Sequence, residues 1–163
     1  MEQIKGTICS IRYTNSKNGY TVCDIKTENN THVTLVGIMP MLVEGENIVA
    51  AGEYVSHPDY GRQFKVEQCE RNIPTLEEEM IQYLSSGFIK GLGKATAKNI
   101  VDKFKDKTFE VFQFEPIRLA EVKGITPGKA LVFGQAFIEH ENIRNIVMFM
   151  QKYGVSADTA AKI

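Results

Sequence analysis

The sequence predicts an α+β chain in two parts, a small β-barrel over residues 1–73 followed by an all-α domain over residues 74–163. Two changes along the chain carry that expectation. From residue 2 to about residue 73, apolar and polar positions alternate in five short runs separated by turns rich in Asn, Gly and Pro. From Leu76 onward the spacing switches to the i, i+3, i+4, i+7 period of helices. The boundary falls at Ile73-Pro74-Thr75, where proline can neither donate to a strand ladder nor leave its predecessor free.

The first run places Ile4, Gly6, Ile8 and Ser10 on one face, and Asn15, Ser16, Asn18 and Gly19 form the polar turn after it. The second, Gly19 to Thr27, is rich in β-branched and aromatic residues. The third spans His32–Gly37, the fourth Asn47–Val55 and the fifth Gln63–Glu70. Asn29-Asn30, Glu44-Gly45-Glu46 and Pro58-Asp59-Tyr60-Gly61 mark the turns between them. Five short strands fit an OB-like barrel, provided that the helix between strands three and four shrinks to Met39-Pro40-Met41-Leu42. Tyr13, Tyr20, Tyr54, Tyr60 and Phe64 supply aromatics, with Arg12, Arg62 and Lys65 near them in sequence. Residues 1–75 nonetheless hold seven Lys/Arg against nine Asp/Glu, a balance that argues for packing or partner contact rather than a strong nucleic-acid face.

In the second part, Thr75 is placed to cap a helix whose Glu77, Glu78 and Glu79 suit its positive end. Leu76, Met80, Tyr83 and Leu84 form its apolar face. After Ser85–Lys98, Ala97, Ile100, Val101 and Phe104 form the face of the next helix. Between these faces the chain is expected to reverse in a tight turn at Lys90-Gly91-Leu92-Gly93-Lys94, where the two glycines tolerate positive φ and Leu92 plugs the turn. Consecutive N–H groups in such a turn, continued by those opening the next helix, suit a phosphate, and Lys90, Lys94 and Lys98 match its charge. From Lys90 to Lys107 six lysines face Asp102 and Asp106, within a chain whose net charge is −1. The pattern resembles the helix-hairpin-helix motif, which holds the sugar-phosphate backbone without reading bases.

Thr108 starts a short helix with Phe109, Val111 and Phe112, and Pro116 starts another with Leu119 and Val122. A second turn, Val122 to Lys129, repeats the first imperfectly: Gly124 and Ile125 match Gly91 and Leu92, Thr126 replaces Gly93, and Lys129 lies a little further on. It serves either as a second phosphate contact or as structure. The helical domain is thus expected to be a tandem helix-hairpin-helix unit. A third helical unit is expected from Asn142, with Ile143, Ile146, Val147 and Met150 on one face and Gly154 at its end. Met148, Phe149 and Met150 read as core. Ser156 caps a further helix that stops at Ile163, so we read the chain as the C-terminally truncated part of a longer protein.

No apolar run approaches the ~18 residues that cross a bilayer, and Met1-Glu2-Gln3-Ile4-Lys5 lacks a signal-peptide core. A soluble cytoplasmic chain is expected. Cys9, Cys23 and Cys69 lie in strands without ligand spacing, and His32, His57 and His140 are scattered, so no metal site is expected. Gly93-Lys94-Ala95-Thr96 fails the phosphate-loop pattern, which needs Gly at 88 and Ser or Thr at 95 after a strand. No catalytic motif is present, and the chain by itself is not expected to be an enzyme.

Along almost its whole length the chain resembles the N-terminal region of RecD-like DNA helicases, the form that occurs without RecB and RecC partners. The resemblance rests on Asn18–Val22, on His57–Val66 and on Tyr83–Gly93. It implies that Walker motifs, ATP, Mg²⁺ and five-prime to three-prime unwinding belong to motor domains outside this chain. The chain would be their accessory DNA-binding region, a monomer with no membrane role. Lys90, Gly91, Leu92, Gly93 and Lys94 are the backbone-contact candidates that transfer by position, whereas Thr126 departs from the usual glycine. Two alternatives remain open from the sequence, a RuvA-like platform for Holliday junctions and a protein-interaction module whose hairpins are structural.

Overall fold

A computed structural model describes residues 1–152, with side chains through Met150. Gly154 and Ser156, expected as a helix end and a cap, lie outside the described residues. The chain forms two compact units, Met1–Ile73 together with the described residues from Ile146 onward, and Pro74–Asn145.

Five strands build the first unit: β1 (Glu2–Thr14), β2 (Tyr20–Thr27), β3 (His32–Ile38), β4 (Asn47–His57) and β5 (Gly61–Asn72). They close into a barrel in the order β1-β2-β3-β5-β4, in which β3 and β5 run parallel and the other neighbours antiparallel. Inward residues of all five strands, including Ile8, Ile25, Leu35, Ile48 and Phe64, fill the interior. Cys23 is fully buried there, and burial pushes its thiol up to about 12, so it behaves as a small apolar group. At the register shift between Ala51 and Gly52, a Cβ on Gly52 would lie 1.9 Å from the Lys65 carbonyl oxygen, so only glycine fits that crossing.

Strict alternation fails in β1. Pairing with β2 slips between Ile8 and Ser10 and again between Ile11 and Tyr13. The bulges turn Ser10 away from the inward face expected for it: Ile8 is fully buried, but the Ser10 hydroxyl bonds Asp24 on the outer surface.

Between β3 and β4 the chain forms turns rather than the shortened helix allowed for at Met39–Leu42. A buried ion pair fixes this segment. Arg71 donates to Glu46 Oε1 at 3.3 Å and Oε2 at 3.2 Å, and to the carbonyls of Pro40 at 2.6 Å and Met41 at 3.0 Å. Glu46 Oε2 also accepts the Val43 N–H at 2.5 Å. With side-chain exposures of 1% and 0%, neither charge could remain buried alone.

The second unit holds α1 (Glu77–Leu84), α2 (Lys94–Phe104), α3 (Thr108–Phe114) and the start of α4 (Pro127–Lys152), whose last residues belong to the first unit. A 3-10 turn over Lys105–Lys107 precedes α3, and a 3-10 helix over Pro116–Glu121 follows it. Leu76, not Thr75, occupies the N-cap of α1 and makes no side-chain cap. Val122 lies just past the 3-10 helix rather than within it. The start expected at Asn142 is absent, because α4 continues through it. Val147 is buried as expected, but Ile143, Ile146 and Phe149 are exposed.

Candidate nucleic-acid interface

The link between α1 and α2 is longer than the tight turn expected. Helix α1 ends at Leu84, where the Ser85 hydroxyl bonds the Ile81 carbonyl at 2.7 Å and the Ser86 hydroxyl bonds that of Tyr83 at 2.8 Å. Gly87, at φ +118°, redirects the chain. Phe88 then stacks on His140 with ring centroids 3.9 Å apart, and Tyr83 meets Phe88 edge-on at 5.3 Å. Tyr83 in turn donates its hydroxyl to Glu141 at 2.5 Å. Burial raises the Glu141 pKa, but the adjacent His140 imidazole, 3.8 Å away, the Tyr83 hydrogen bond and the nearby Arg144 outweigh it and hold the carboxyl below its ordinary value.

The turn proper is Ile89–Leu92, closed by the Leu92 N–H on the Ile89 carbonyl at 3.3 Å. Gly91 is its third residue, at φ +82°, a conformation that side chains other than glycine rarely adopt. Ile89 and Leu92 are buried and pin it. Gly93 is not left-handed as expected for both glycines; it is the extended N-cap of α2 at φ −87° and ψ 176°. A Cβ there would meet nothing within 4 Å. Its value lies in leaving the surface open.

Helix α2 starts with no side-chain cap and no acidic residue in its first turn, in contrast to Glu77, Glu78 and Glu79 at the start of α1. The first α-helical bond here is from Ala97 to the Gly93 carbonyl at 2.9 Å, so the N–H groups of Lys94, Ala95 and Thr96 face outward with the positive end of the helix dipole.

The second turn repeats this local geometry 33 positions later. Ile125 donates to the Val122 carbonyl at 3.1 Å, Gly124 is left-handed at φ +91°, and Ala130 donates to Thr126 at 2.9 Å, as Ala97 does to Gly93. Val122 and Ile125 are buried like Ile89 and Leu92. The difference lies at the helix start. The Thr126 hydroxyl caps the Lys129 N–H at 3.2 Å, and Pro127 has no N–H. Two donors that the first turn presents are therefore missing from the second. By this repeat Lys123 occupies the position of Lys90; sequence reasoning misses it, though the step from Val122 to Gly124 is the available signal.

Ion pairing sorts the lysines. Lys98 is held by Asp102 at 2.7 Å, Lys103 by Glu121 at 3.6 Å, Lys105 by Glu77 at 3.7 Å and Lys107 by Glu110 at 3.7 Å. The Lys98–Asp102 hydrogen bond raises the lysine pKa and lowers that of the aspartate. Among the described residues, Lys90, Lys94, Lys123 and Lys129 make no ion pair, and all four are exposed on the two turns. The cationic patch read along α2 therefore contracts to the turns themselves.

On the barrel, the outer surface of β1, β2 and β3 centres on a carboxylate. Asp24 accepts hydrogen bonds from Thr34 at 2.7 Å, Arg12 at 2.6 Å and Ser10 at 3.1 Å. Burial pushes its pKa up, and those three donors outweigh it and hold it below its ordinary value. Arg12 is thus committed to Asp24 rather than free for a phosphate.

Gly93–Thr96 follows a helix and an irregular link, not a strand, and so does not fit a nucleotide phosphate loop. Among the described residues, no group of three or more His, Cys, Asp or Glu could hold a metal ion, and no helix is long and apolar enough to cross a membrane.

Comparison with known proteins agrees with this architecture. Residues 1–74 match the family model described as ATP-dependent DNA helicase YrrC, OB-fold domain. The chain is also 24% identical over 166 residues to the ATP-dependent RecD2 DNA helicase of Deinococcus radiodurans, a match that covers 98% of this chain and 23% of that relative. The chain thus spans about a quarter of the length of the curated relative it matches. The five-stranded barrel, the model match over that barrel and the end-to-end similarity point the same way: residues 1–74 match a helicase OB-fold domain, and the chain as a whole is similar to the N-terminal region of RecD-like DNA helicases.

Proposed function

We propose that this chain is the non-catalytic DNA-binding region of an ATP-dependent five-prime to three-prime DNA helicase, and that its two glycine turns form a tandem helix-hairpin-helix unit that holds DNA backbone without sequence preference. One observation carries the proposal. The first turn combines two unpaired lysines, Lys90 and Lys94, with the outward N–H groups of Lys94, Ala95 and Thr96 at an uncapped helix start. That is the chemistry a phosphodiester needs: hydrogen-bond donors fixed in place, positive charge and an open approach. Lys123 adds charge at the second turn, with fewer donors behind it. Lys98 contributes less than its sequence position implies, because an exposed i,i+4 pair with Asp102 competes for it.

ATP and Mg²⁺ would be used by motor domains of the same protein, which are its own partners. The chain would act as a monomer on single-stranded or forked DNA. The test is fluorescence anisotropy with single-stranded, forked and four-way-junction DNA at several salt concentrations. A grip on about 2–4 phosphates gives a log–log salt slope of roughly −1.5 to −3.5 and a Kd on the order of 10⁻⁴–10⁻⁶ M. Lys94→Ala should weaken binding to all sequences alike and flatten the slope by about one unit. A change confined to one sequence would overturn the backbone-grip model. A tetramer preferring four-way junctions would assign the chain to the junction platforms instead, and no binding at low salt would make the turns structural.

A further inference from the structure

One face of α4 supports the first glycine turn. Ala130, Phe133 and Phe137 are buried at i, i+3 and i+7, and His140 continues the stripe with its side chain 11% exposed. A Phe133 ring carbon is the nearest atom, at 3.9 Å, to the place that a Cβ on Gly91 would take. Phe137 packs on Phe109 and Phe112 of α3, with centroids 5.4 and 5.2 Å apart. His140 meets Phe88, which precedes the turn. Just before Phe88 the chain has an open joint: Gly87 is left-handed at φ +118°, and a Cβ there would meet nothing within 4 Å. Phe88 is therefore the first side chain that can fix the direction in which the chain enters the turn.

Histidine at position 140 carries a cost. Its Nδ1 is buried 3.8 Å from Glu141 Oε1, beyond hydrogen-bond reach, and has no partner among the described residues. That carboxylate oxygen accepts the Tyr83 hydroxyl instead. A buried nitrogen without a partner destabilises the fold, so an apolar side chain would pack here more favourably. What the imidazole supplies is a flat face. Its plane is inclined by only 21° to that of Phe88, with centroids 3.9 Å apart. Tyr83, fully buried and tied to Glu141, closes edge-on against both rings, at 5.3 Å from Phe88 and 6.3 Å from His140.

We propose that His140 is a positioning residue for the first glycine turn: its ring clamps Phe88 beyond the joint at Gly87 and so fixes how Lys90, Gly91 and the start of α2 are presented. The inference rests on the DNA-backbone grip proposed above and names what holds that grip ready. Donors held in place before the ligand arrives bind it at a lower entropic cost. The requirement is for a flat face rather than for bulk, because an aliphatic side chain fills the space but gives Phe88 nothing to stack on.

Three variants separate face from bulk. His140→Leu keeps apolar bulk without a flat face, His140→Phe keeps the ring and removes the unpartnered nitrogen, and Phe88→Leu repeats the test from the other ring, at a half-buried site. In low-salt anisotropy with forked DNA, His140→Leu and Phe88→Leu should each weaken binding about 2- to 12-fold, the worth of one aromatic pair, and His140→Phe should restore it. The two leucine substitutions combined should weaken binding no more than either alone, since they remove the same contact. A reading independent of DNA is hydrogen exchange of the Leu92 amide, which closes the turn on the Ile89 carbonyl. It should exchange about 2- to 12-fold faster in His140→Leu and return to the wild-type rate in His140→Phe. Wild-type protein that binds no DNA would refute the grip, whereas faster Leu92 exchange in His140→Leu would still uphold the positioning of the turn. Unchanged Leu92 exchange in both leucine variants overturns the proposal, as does a His140→Phe protein that fails to restore it. So does a His140→Leu protein that binds forked DNA as tightly as wild type.

Discussion

Replacing Gly91 and Gly93 separately by alanine should move stability and DNA binding in different directions, because the two glycines do different work. At Gly91, with φ +82°, the added Cβ would meet only a Phe133 ring carbon at 3.9 Å, an ordinary contact. The penalty is therefore in the backbone, about 1–2 kcal/mol for a left-handed residue with a side chain. That corresponds to a Tm lowered by roughly 2–8 °C for a chain of this size. Gly93 sits at φ −87° with open space around it, so alanine fits without strain. Loss of unfolded-state freedom should stabilise Gly93→Ala by about 0.4–1 kcal/mol, or roughly 1–4 °C. The same methyl group occupies part of the open surface through which a phosphate would approach the start of α2. Losing one charge-assisted hydrogen bond, about 1.5 kcal/mol, should weaken DNA binding about tenfold. Scanning calorimetry and low-salt anisotropy on the same samples read both effects. A Gly93→Ala protein that gains stability and binds DNA as tightly as wild type would refute a backbone contact at this turn.

Three further outcomes follow from the packing. Glu46→Ala strands a guanidinium that is 1% exposed, and should cost about 3–5 kcal/mol in urea unfolding; a loss below about 1 kcal/mol would show that the pair does not hold the β3–β4 segment. Gly134→Ala would set a Cβ 2.3 Å from Pro116 Cβ and 3.2 Å from the Phe112 carbonyl, so a destabilisation of about 1–3 kcal/mol is expected in thermal unfolding, and an unchanged Tm would contradict that packing. Asp24 has a folded pKa below its unfolded value near 3.9, so its stabilising contribution is complete above that value and disappears as pH falls through the folded one. The stability difference between wild type and Asp24→Asn should accordingly be constant from about pH 5 to 7 and shrink below about pH 4, and a difference that grew on acidification would reverse the assignment.

Much of this architecture was legible in the sequence because it depends on local signals. Period-two alternation located five strands, with ends that the structure moves by a residue or two, and the change of period placed helices after Pro74. The glycine turns were legible too, since a left-handed residue between two buried apolar neighbours leaves a mark of a few residues, as Ile89–Leu92 and Val122–Ile125 show. Tertiary structure decided the remainder. The β1 bulges that turn Ser10 outward, the Glu46–Arg71 pair in place of a helix, and the commitment of Arg12 to Asp24 all join residues well separated in sequence. So do the pairs that occupy Lys103 and Lys105. A lysine's sequence neighbours give its charge; whether that charge is free for a phosphate depends on which carboxylate the fold brings within 4 Å of it, and that separates Lys90 and Lys94 from the other lysines of the same run.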